Sequence, residues 1–276
     1  MTKNIAFQGA LGAYGDEACR KARPKFVPLP CSTFEGVIQS VKSGKSDLAM
    51  VPIENSTYGR VADIHRLLPD SGLNIVGEIF TRVKISLLAI PGTSLKEIKK
   101  VRAHLVLLPQ AKKFLGKHNI KAEVAADSAG AAYELAKSSD KSCGVLASSI
   151  AAEIYGLNIL AKNIEDHAHN TTRFLILSGR ENIQPRTKEQ TITTFVFQVR
   201  NIPAALYKAL GGFATNGVNM LKLESYMLEG SFKATQFYAD VEGHPNDIDL
   251  KLALEELSYF SSMVKILGVY PADIKR

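Results

Sequence analysis

Short apolar runs alternate with amphipathic stretches along most of the chain, as expected where strands alternate with helices. The first strand is predicted at Ile5-Ala6-Phe7 and the second at residues 26–29, before a helix opened by the capping box Ser32-Thr33-Phe34-Glu35. Further strands and helices are predicted at 85–90, 122–126 with a helix from Ser128, 144–147 with 148–155, and 174–177. This alternation predicts a parallel or mixed α/β architecture.

A polar segment, residues 51–61, lies between the apolar run Leu48-Ala49-Met50 and the helical pattern that begins at Val61. Polar residues between a parallel strand and the next helix lie at the carboxyl end of the sheet, where α/β proteins bind ligands. Helix N-termini at that edge offer N–H groups to anions. The alternative is a capped turn in which Asn55 or Ser56 serves the backbone.

A second unusual segment, Asn170-Thr171-Thr172-Arg173-Phe174, opens the apolar strand at 175–177. It places two hydroxyls, a permanent cation and an aromatic ring together. Strand residues alternate faces, so Thr172 and Phe174 are predicted on one side and Arg173 on the other. The alternative is an ordinary strand start with a solvated arginine.

The C-terminal third predicts a separate small domain behind a polar connector at 179–186. The predicted order is strand 191–199, helix 204–214, strand 218–226, strand 234–241, helix 248–260 and strand 264–269. This βαββαβ order is the ferredoxin-like arrangement. Pro203 suits a first helical turn, and Leu228-Glu229-Gly230-Ser231 suits the hairpin between the middle strands.

Composition narrows the class of protein. The 276 residues are 46% hydrophobic, which is enough for the cores of a two-part enzyme. The N-terminal residues Met1-Thr2-Lys3-Asn4 lead straight into a strand, and no apolar run approaches the roughly 20 residues of a membrane helix. We therefore expect a cytoplasmic protein without a membrane segment. The three cysteines and six scattered histidines lack metal-site spacing, which predicts reduced thiols and no metal.

The formal net charge of +7 raises the question of a nucleic-acid partner. The basic residues do not form a tract with interleaved aromatics. One basic cluster instead alternates with apolar residues at helical spacing, as on the solvated face of an amphipathic helix opened by the capping box Ser94-Leu95-Lys96-Glu97. Its members are Lys96, Lys99, Lys100 and Arg102. We expect no nucleic acid and a small anionic substrate, because excess positive charge raises its encounter rate.

Taken in order, these segments resemble prephenate dehydratase over nearly the whole chain. The resemblance rests on Gln8-Gly9 with Gly12, the Val-Pro-Ile-Glu-Asn-Ser run at 51–56, Tyr155-Gly156-Leu157, Thr172-Arg173-Phe174 and the tail at 266–271. It implies loss of CO2 and hydroxide from prephenate to give aromatic phenylpyruvate, in L-phenylalanine biosynthesis. Because aromatisation supplies the driving force, neither a metal nor an organic cofactor is implied.

The resemblance also implies an architecture. Residues 1–180 correspond to a catalytic region of two α/β lobes around a cleft, as in type 2 periplasmic binding proteins. The lobes are placed at about 1–78 with 170–180, and at 79–169. Residues 191–271 look like an ACT domain, a module that binds an amino acid at a dimer interface. We therefore expect a homodimer or homotetramer with L-phenylalanine as effector.

Three residues carry the chemistry in this resemblance. Thr172 is predicted to donate a proton or hydrogen bond to the departing hydroxyl, in a concerted step because threonine is a poor acid. Arg173 is predicted to clamp the pyruvyl carboxylate, since holding the ring carboxylate would stabilise the group that must leave, or else to order the loop. Phe174 either packs against the substrate ring or belongs to the core.

Five further residues are predicted to contact or frame the substrate: Gln8, Glu54, Asn55, Ser56 and Asn170. Asn55 and Ser56 suit substrate oxygens, while Glu54 suits orientation of its loop. Two segments depart from the family pattern. Gly12-Ala13-Tyr14-Gly15 replaces Gly-Ser-Tyr-Ser, and Leu108-Pro109-Gln110 replaces His-Pro-Gln.

The effector site implied by the resemblance is only partly retained. Its residues are Ala204, Ala205, Leu206, Glu224 and Ser225. Ala204 stands where the family has glycine, and Tyr226-Met227 replaces Arg-Pro. The helix N-terminus can receive a carboxylate and Glu224 can face an ammonium, so we expect altered affinity or selectivity.

Two other functions compete with prephenate dehydration. Arogenate dehydratase differs only in a substrate amino group in place of the keto oxygen. A solute sensor without catalysis is the alternative from a different class, because other bilobal proteins have that role. Retention of Thr172 and Arg173 favours an enzyme.

Overall fold

The computed structural model describes residues 2–167, 169–180, 190–200, 202–227 and 234–276. The chain divides into two compact units, Met1–Val61 with Ile79–Phe174 and Ala62–Glu78 with Leu175–Arg276. Two long strands, Asn74–Arg82 and Thr171–Ser178, each contribute residues to both units. The domain and lobe boundaries predicted from the sequence remain predictions.

Strands and helices alternate through residue 178, so the predicted α/β class is confirmed. In chain order the elements are β1 (Asn4–Gln8), α1 (Tyr14–Ala22), β2 (Val27–Cys31), α2 (Phe34–Lys42), β3 (Leu48–Asn55), β4 (Gly59–Arg60), α3 (Ala62–Leu67), β5 (Asn74–Arg82), β6 (Ser86–Ala89), β7 (Lys100–His104), α4 (Lys112–Lys117), β8 (Lys121–Ala125), α5 (Ser128–Ala136), β9 (Cys143–Ala147), α6 (Ser149–Tyr155), β10 (Asn158–Ala161) and β11 (Thr171–Ser178). Strands β4, β5 and β10 were not predicted, and β7 lies where a helix was predicted.

The first unit contains two sheets. In one, β3 and β2 flank β1 in parallel, and β11 lies beside β3. In the other the order is β10-β6-β9-β7-β8. Both sheets are mixed, because β4 runs antiparallel to β3 and β6 runs antiparallel to β9. Parallel pairing brings the carboxyl ends of β1 and β3 to one edge, which is where ligands bind in such sheets.

The helix predicted behind Ser94 is wrong. Ser94 and Glu97 do form a capping box, with Ser94 N–H donating to Glu97 Oε2 at 2.8 Å, but they close only a single 3₁₀ turn at Leu95–Glu97. The chain then enters β7, in which Val101 and Ala103 are buried between more exposed neighbours. Burial of every second residue is the pattern of a strand. The buried apolar residues therefore determine the conformation of this segment, and the helical spacing of its charged residues does not.

Three smaller predictions need correction. Helix α2 has Thr33 rather than Ser32 as its N-cap, with Thr33 Oγ1 accepting from Gly36 N–H at 3.0 Å. Residues 51–55 continue β3 instead of forming a loop, so the polar segment is the end of a strand and the turn into β4. Pro203 precedes the helix that begins at Ala205 rather than lying in its first turn.

The predicted βαββαβ order is confirmed in the C-terminal part. Its elements are β12 (Thr191–Val199), α7 (Ala205–Thr215), β13 (Met220–Met227), β14 (Ala234–Glu242), α8 (Ile248–Phe260) and β15 (Ser261–Pro271). The sheet order is β13-β14-β12-β15 with every neighbouring pair antiparallel. The predicted hairpin at 228–231 and most of the connector at 179–186 lie outside the described residues.

One face of this sheet builds a core with its two helices. Phe195 and Phe197 pack in one apolar cluster with Phe213 of α7 and Leu257 of α8. Strand β5 adds to the edge at β15, in parallel, where Gly268 pairs with Ile75. A Cβ on residue 268 would lie 2.3 Å from the Ile75 carbonyl oxygen, so glycine is required for this approach.

Within the described ranges, no helix is long and apolar enough to cross a membrane. Over the same residues, no group of three or more His, Cys, Asp or Glu side chains could hold a metal ion. The cysteines are free thiols, with Cys19 and Cys143 buried and Cys31 half-buried.

Candidate active site

A cavity of about 250 Å³ opens in the first unit at the carboxyl ends of β1 and β3. The residues that lead into α1, α5 and α6 contribute to its wall, so three helix N-termini surround it. Its wall includes Gln8, Pro52, His104, Ser128, Ser148 and Phe174. This is the position expected for a ligand site in an α/β sheet, with helix ends favourable to anions.

Two of the predicted site residues, Gln8 and Phe174, line this cavity directly. Phe174 is buried at 4% exposure, and Thr172 lies two residues before it on the same face of β11. Thr172, Asn55 and Asn170 do not line the cavity. They form a hydrogen-bonded cluster beside it. The structure thus divides the predicted residues between a cavity and an adjoining polar cluster.

Asn55 is the centre of that polar cluster. Its side-chain Nδ2 donates to Asn170 Oδ1 at 2.6 Å and to Thr172 Oγ1 at 2.9 Å. Its Oδ1 accepts from the backbone N–H groups of Thr57 and Tyr58 at 2.9 and 3.0 Å. The capped turn, the alternative offered by the sequence, is therefore present, and it fixes which way the Asn55 amide points. A substrate contact for Asn55 stays a prediction.

Gln110 extends the cluster, although its role there was not predicted from the sequence. It is buried, its Oε1 accepts from Asn170 Nδ2, and its Nε2 donates to the carbonyl oxygen of Val106 at 2.7 Å. The only sequence signal was its place after Leu108-Pro109, in a segment that departs from the family pattern. Amide donors and acceptors alternate from Val106 through Gln110, Asn170 and Asn55 to Thr172, so each amide has one orientation.

This chain of hydrogen bonds defines the state of the Thr172 hydroxyl. An amide NH2 group can only donate, so Thr172 Oγ1 must accept from Asn55. The hydroxyl hydrogen is not used in this bond, so Thr172 keeps the capacity to donate it. A catalytic role for Thr172 stays a prediction.

Arg173 points away from Thr172 and is almost fully buried. Its side chain is 2% exposed, and its Nη1 lies 3.0 Å from Glu54 Oε1, where Glu54 is 29% exposed. The alternative of a solvated arginine is therefore wrong. The ion pair joins β3 to β11 on the face opposite the Asn55–Thr172 bond, and the predicted contact of Arg173 with a substrate carboxylate stays a prediction.

Ser56 uses its polar groups on the backbone of the neighbouring segment. Its Oγ donates to the His169 carbonyl at 2.9 Å and accepts from Thr171 N–H at 2.9 Å, and its own N–H donates to the Thr171 carbonyl. These bonds hold the start of β11 against the end of β3. A substrate contact for Ser56 stays a prediction.

The glycine-rich segment after β1 positions the cavity wall. Gly12 has φ +85°, and a Cβ there would lie 2.7 Å from the Ala151 Cα, so only glycine fits. Gly12 N–H donates to buried Asp16 Oδ2 at 2.8 Å, and Ser148 Oγ donates to the Gly12 carbonyl at 2.6 Å. Tyr14 donates to the Lys84 carbonyl at 3.0 Å, and burial raises the pKa of its phenol far above the usual range, so it stays protonated.

The predicted effector residues all lie in the second unit. Ala204, Ala205 and Leu206 form the start of α7, where Ala204 is exposed and has φ +60°. Glu224 and Ser225 lie on β13, and Lys222 Nζ donates to Glu224 Oε1 at 3.1 Å. An effector ammonium at Glu224 therefore meets a carboxylate that already has a lysine partner.

Comparison with known proteins identifies the family and agrees with the fold. The pattern of the family "Prephenate dehydratase" matches residues 5–182. A bifunctional N-acyl-homoserine lactone acylase/prephenate dehydratase of Komagataeibacter europaeus is 52% identical over 98% of this chain and 96% of that protein. A chloroplastic arogenate dehydratase/prephenate dehydratase of Arabidopsis thaliana is 38% identical over 99% of this chain and 73% of that protein.

Solved structures give the same result. A structure described as a quorum-quenching acylase is 51% identical and superposes with a TM-score of 0.94 over 99% of this chain and all of that one. The prephenate dehydratase of Arthrobacter aurescens in complex with L-Phe is 28% identical, with a TM-score of 0.88 over 97% and 89% of the two chains. The resemblance is thereby confirmed: this chain belongs to the prephenate dehydratase family, lyases of class EC 4.2.1.51 that form phenylpyruvate from prephenate in L-phenylalanine biosynthesis.

Proposed function

We propose that prephenate binds in the cavity next to Phe174 and that the Thr172 hydroxyl assists the loss of its hydroxyl group. The observation that carries this proposal is the 2.9 Å bond from Asn55 Nδ2 to Thr172 Oγ1, which leaves Thr172 as a donor. As the ring C–O bond breaks, a hydrogen bond stabilises the oxygen that gains negative charge. The ring carboxylate leaves as CO2, and its electron pair completes the aromatic ring.

In this proposal Arg173 orders the site instead of holding the substrate. Its ion pair with Glu54 fixes β11 against β3, and the same two strands carry Thr172 and Asn55. Because the ion pair links the two strands, removal of either partner should disturb both strands. A crystal complex with a prephenate analogue tests this role, and a direct Arg173 contact with the analogue's carboxylate contradicts it.

The experiment that tests the proposed function is turnover of two substrates under one set of conditions. Phenylpyruvate absorbance reports prephenate dehydration, and amino-acid analysis reports phenylalanine formed from arogenate. We expect prephenate to be preferred. If arogenate is turned over faster than prephenate, arogenate is the substrate of the cavity. If neither substrate is turned over, the solute-sensing alternative remains.

L-phenylalanine is the proposed effector of the C-terminal part. The Arthrobacter aurescens structure, described as a complex with L-Phe, supports this. The ferredoxin-like order of β12 to β15 agrees with an ACT domain. We also propose a homodimer or homotetramer working in the cytoplasm.

A second candidate activity is hydrolysis of N-acyl homoserine lactones. It is favoured by 52% identity over nearly the full length of the Komagataeibacter europaeus protein, whose name includes that acylase activity. The cavity wall includes the apolar side chains of Met50, Leu107 and Phe174, which suit an acyl chain. Mass spectrometry of the released homoserine lactone tests it, with an unacylated lactone as control for ring opening.

A further inference from the structure

Tyr58 lies at both ends of the chain of hydrogen bonds around Asn55. Its backbone N–H donates to Asn55 Oδ1 at 3.0 Å, and its hydroxyl donates to the Val106 carbonyl oxygen at 2.9 Å. The same carbonyl oxygen accepts from Gln110 Nε2 at 2.7 Å. Because Asn170 joins Gln110 to Asn55, these hydrogen bonds form a closed ring, the amide ring.

The Tyr58 hydroxyl joins segments that follow strands of two different sheets. Tyr58 lies in the turn between β3 and β4, and Val106 lies in the turn after β7. The next residue, Leu107, is buried and lines the cavity. The bond from Asn170 to Gln110 makes a second link between the same sides, since Asn170 directly precedes β11. The Tyr58 hydroxyl therefore holds the turn after β7 against the polar cluster.

The Val106 carbonyl is the point at which Tyr58 can act on Gln110. A carbonyl oxygen has two lone pairs, so Val106 accepts from Tyr58 and Gln110 at the same time. The Tyr58 bond limits the movement of this carbonyl, and the position of Gln110 Nε2 depends on it. Because the Tyr58 side chain is 47% exposed, loss of its hydroxyl should leave the packing of the core unchanged.

We propose that Tyr58 is a positioning residue, whose hydroxyl closes the amide ring and thereby keeps Asn55 directed at Thr172. This inference rests on the proposed function, in which the amide ring acts on catalysis through the Thr172 hydroxyl. Without the Tyr58 hydroxyl the ring is open at Val106, and the bond from Asn55 Nδ2 to Thr172 Oγ1 is less well defined. The hydroxyl serves the chemical step more than substrate binding, so its loss should change kcat more than KM.

Tyr58→Phe tests this role in the full chain, because it removes the hydroxyl and keeps the aromatic ring. It should lower kcat for prephenate about 2–10-fold, the range expected for one neutral hydrogen bond, with a smaller change in KM. Tyr133→Phe is the matched control, since Tyr133 is also 47% exposed and is not among the residues that line the cavity. It should match wild type, and thermal unfolding checks that both variants are folded.

A double-mutant cycle with Gln110→Met tests whether Tyr58 acts through the amide ring. With Gln110→Met the ring is already open, so adding Tyr58→Phe should change kcat by less than about 2-fold. If Gln110→Met does not fold, Thr172→Ala takes its place in the cycle, with the same expectation. Multiplicative effects in the cycle overturn the proposal, as does unchanged kcat in Tyr58→Phe alone. A rise in KM without a fall in kcat also overturns it, because Tyr58 then serves substrate binding.

Failure of the proposed function gives a different result. It is refuted by a wild-type protein that does not turn over prephenate, or by a folded Thr172→Ala protein with near-wild-type kcat. Urea unfolding of wild type, Tyr58→Phe, Gln110→Met and the double variant then tests the amide ring without reference to turnover. Non-additive changes in the free energy of unfolding support the closed ring, and additive changes overturn it.

Discussion

At the scale of single residues, the proposed mechanism depends on amide groups that hydrogen-bond to a hydroxyl. Asn55 donates to Thr172, and the turn at 57–58 fixes the Asn55 carbonyl. No strong acid is needed if the Thr172 hydrogen bond acts in concert with C–O cleavage, because the forming aromatic ring drives the reaction. In the proposed mechanism Thr172 therefore has to supply only one well-placed hydrogen bond.

Thr172→Ala should lower kcat by roughly 10²–10⁴-fold with a modest change in KM. Thr172→Ser keeps a hydroxyl and should retain much more activity. Steady-state kinetics with prephenate measures both, and Thr171→Ala on the same strand serves as control. Near-wild-type kcat in a folded Thr172→Ala protein removes this residue from the mechanism.

Gln110→Met should lower both kcat and stability. The substitution keeps the side-chain length but leaves Asn170 Nδ2 without its Gln110 acceptor, at a cost of about 1–3 kcal/mol for a buried polar group. Asn170 can then rotate, so Asn55 Nδ2 loses a fixed acceptor and the geometry of its bond to Thr172 is less well defined. Urea unfolding and steady-state kinetics measure the two effects.

Unchanged kcat in a destabilised Gln110→Met protein would show that Gln110 serves folding alone. Gln39→Met, on the exposed side of α2, is a matched control for the change in side-chain chemistry.

At the scale of elements, α7 begins with a residue in an unfavourable conformation. Ala204 has φ +60°, a region that costs a residue with a Cβ roughly 1–2 kcal/mol. The family has glycine at this position, and glycine adopts this conformation readily. The methyl group that Ala204 adds to the effector segment therefore also strains the backbone there.

Ala204→Gly should accordingly raise the free energy of unfolding by up to about 1 kcal/mol. Ala214→Gly, at an exposed position in the last turn of the same helix, is the matched control and should lower it by about 0.5–1 kcal/mol. Chemical denaturation of the two variants gives the comparison. A loss of stability in both would mean that φ at residue 204 is not positive in solution.

At the scale of the whole molecule, effector binding and catalysis should be thermodynamically linked. We expect L-phenylalanine to bind the full chain and to change its initial rate. Coupling is typically about 1–3 kcal/mol, or 5–150-fold in affinity, and substrate must shift L-phenylalanine affinity by the same factor. Calorimetry with and without a substrate analogue measures both directions.

Glu224→Gln should weaken L-phenylalanine binding if Glu224 receives the ammonium, and Glu255→Gln on the exposed face of α8 is the control. Heat and rate changes with tyrosine but not with phenylalanine would assign a different effector. Binding of neither would leave this part of the chain a candidate for association alone.

Self-association is the other expectation at this scale. Strand β13 lies at the end of its sheet order, and its exposed residues include Leu223 and Met227. A strand at the end of a sheet with exposed apolar residues commonly pairs with a copy of itself, and symmetric pairing is the default for soluble oligomers. Light scattering at micromolar concentration should give a dimer or tetramer mass, and a monomer mass contradicts this.

The sequence by itself determined the family, the α/β class and the βαββαβ order, because these depend on local periodicity and on short motifs. Thr172 and Phe174 were correctly placed on one face of β11 and Arg173 on the other, since a strand has a fixed period of two. The capping box at Ser94 failed as a helix signal because its bonds close within four residues and do not determine the conformation of the residues after Glu97.

Only the tertiary structure decided which polar groups meet. Asn55, Gln110 and Thr172 are separated by many residues, and their hydrogen bonds depend on strand register and on loops packed around a common cavity. Arg173 looks the same in sequence whether it binds substrate or Glu54, and burial selects its partner here. His104 likewise looked like one scattered histidine, and its place in the cavity wall results from the position where β7 ends beside α5.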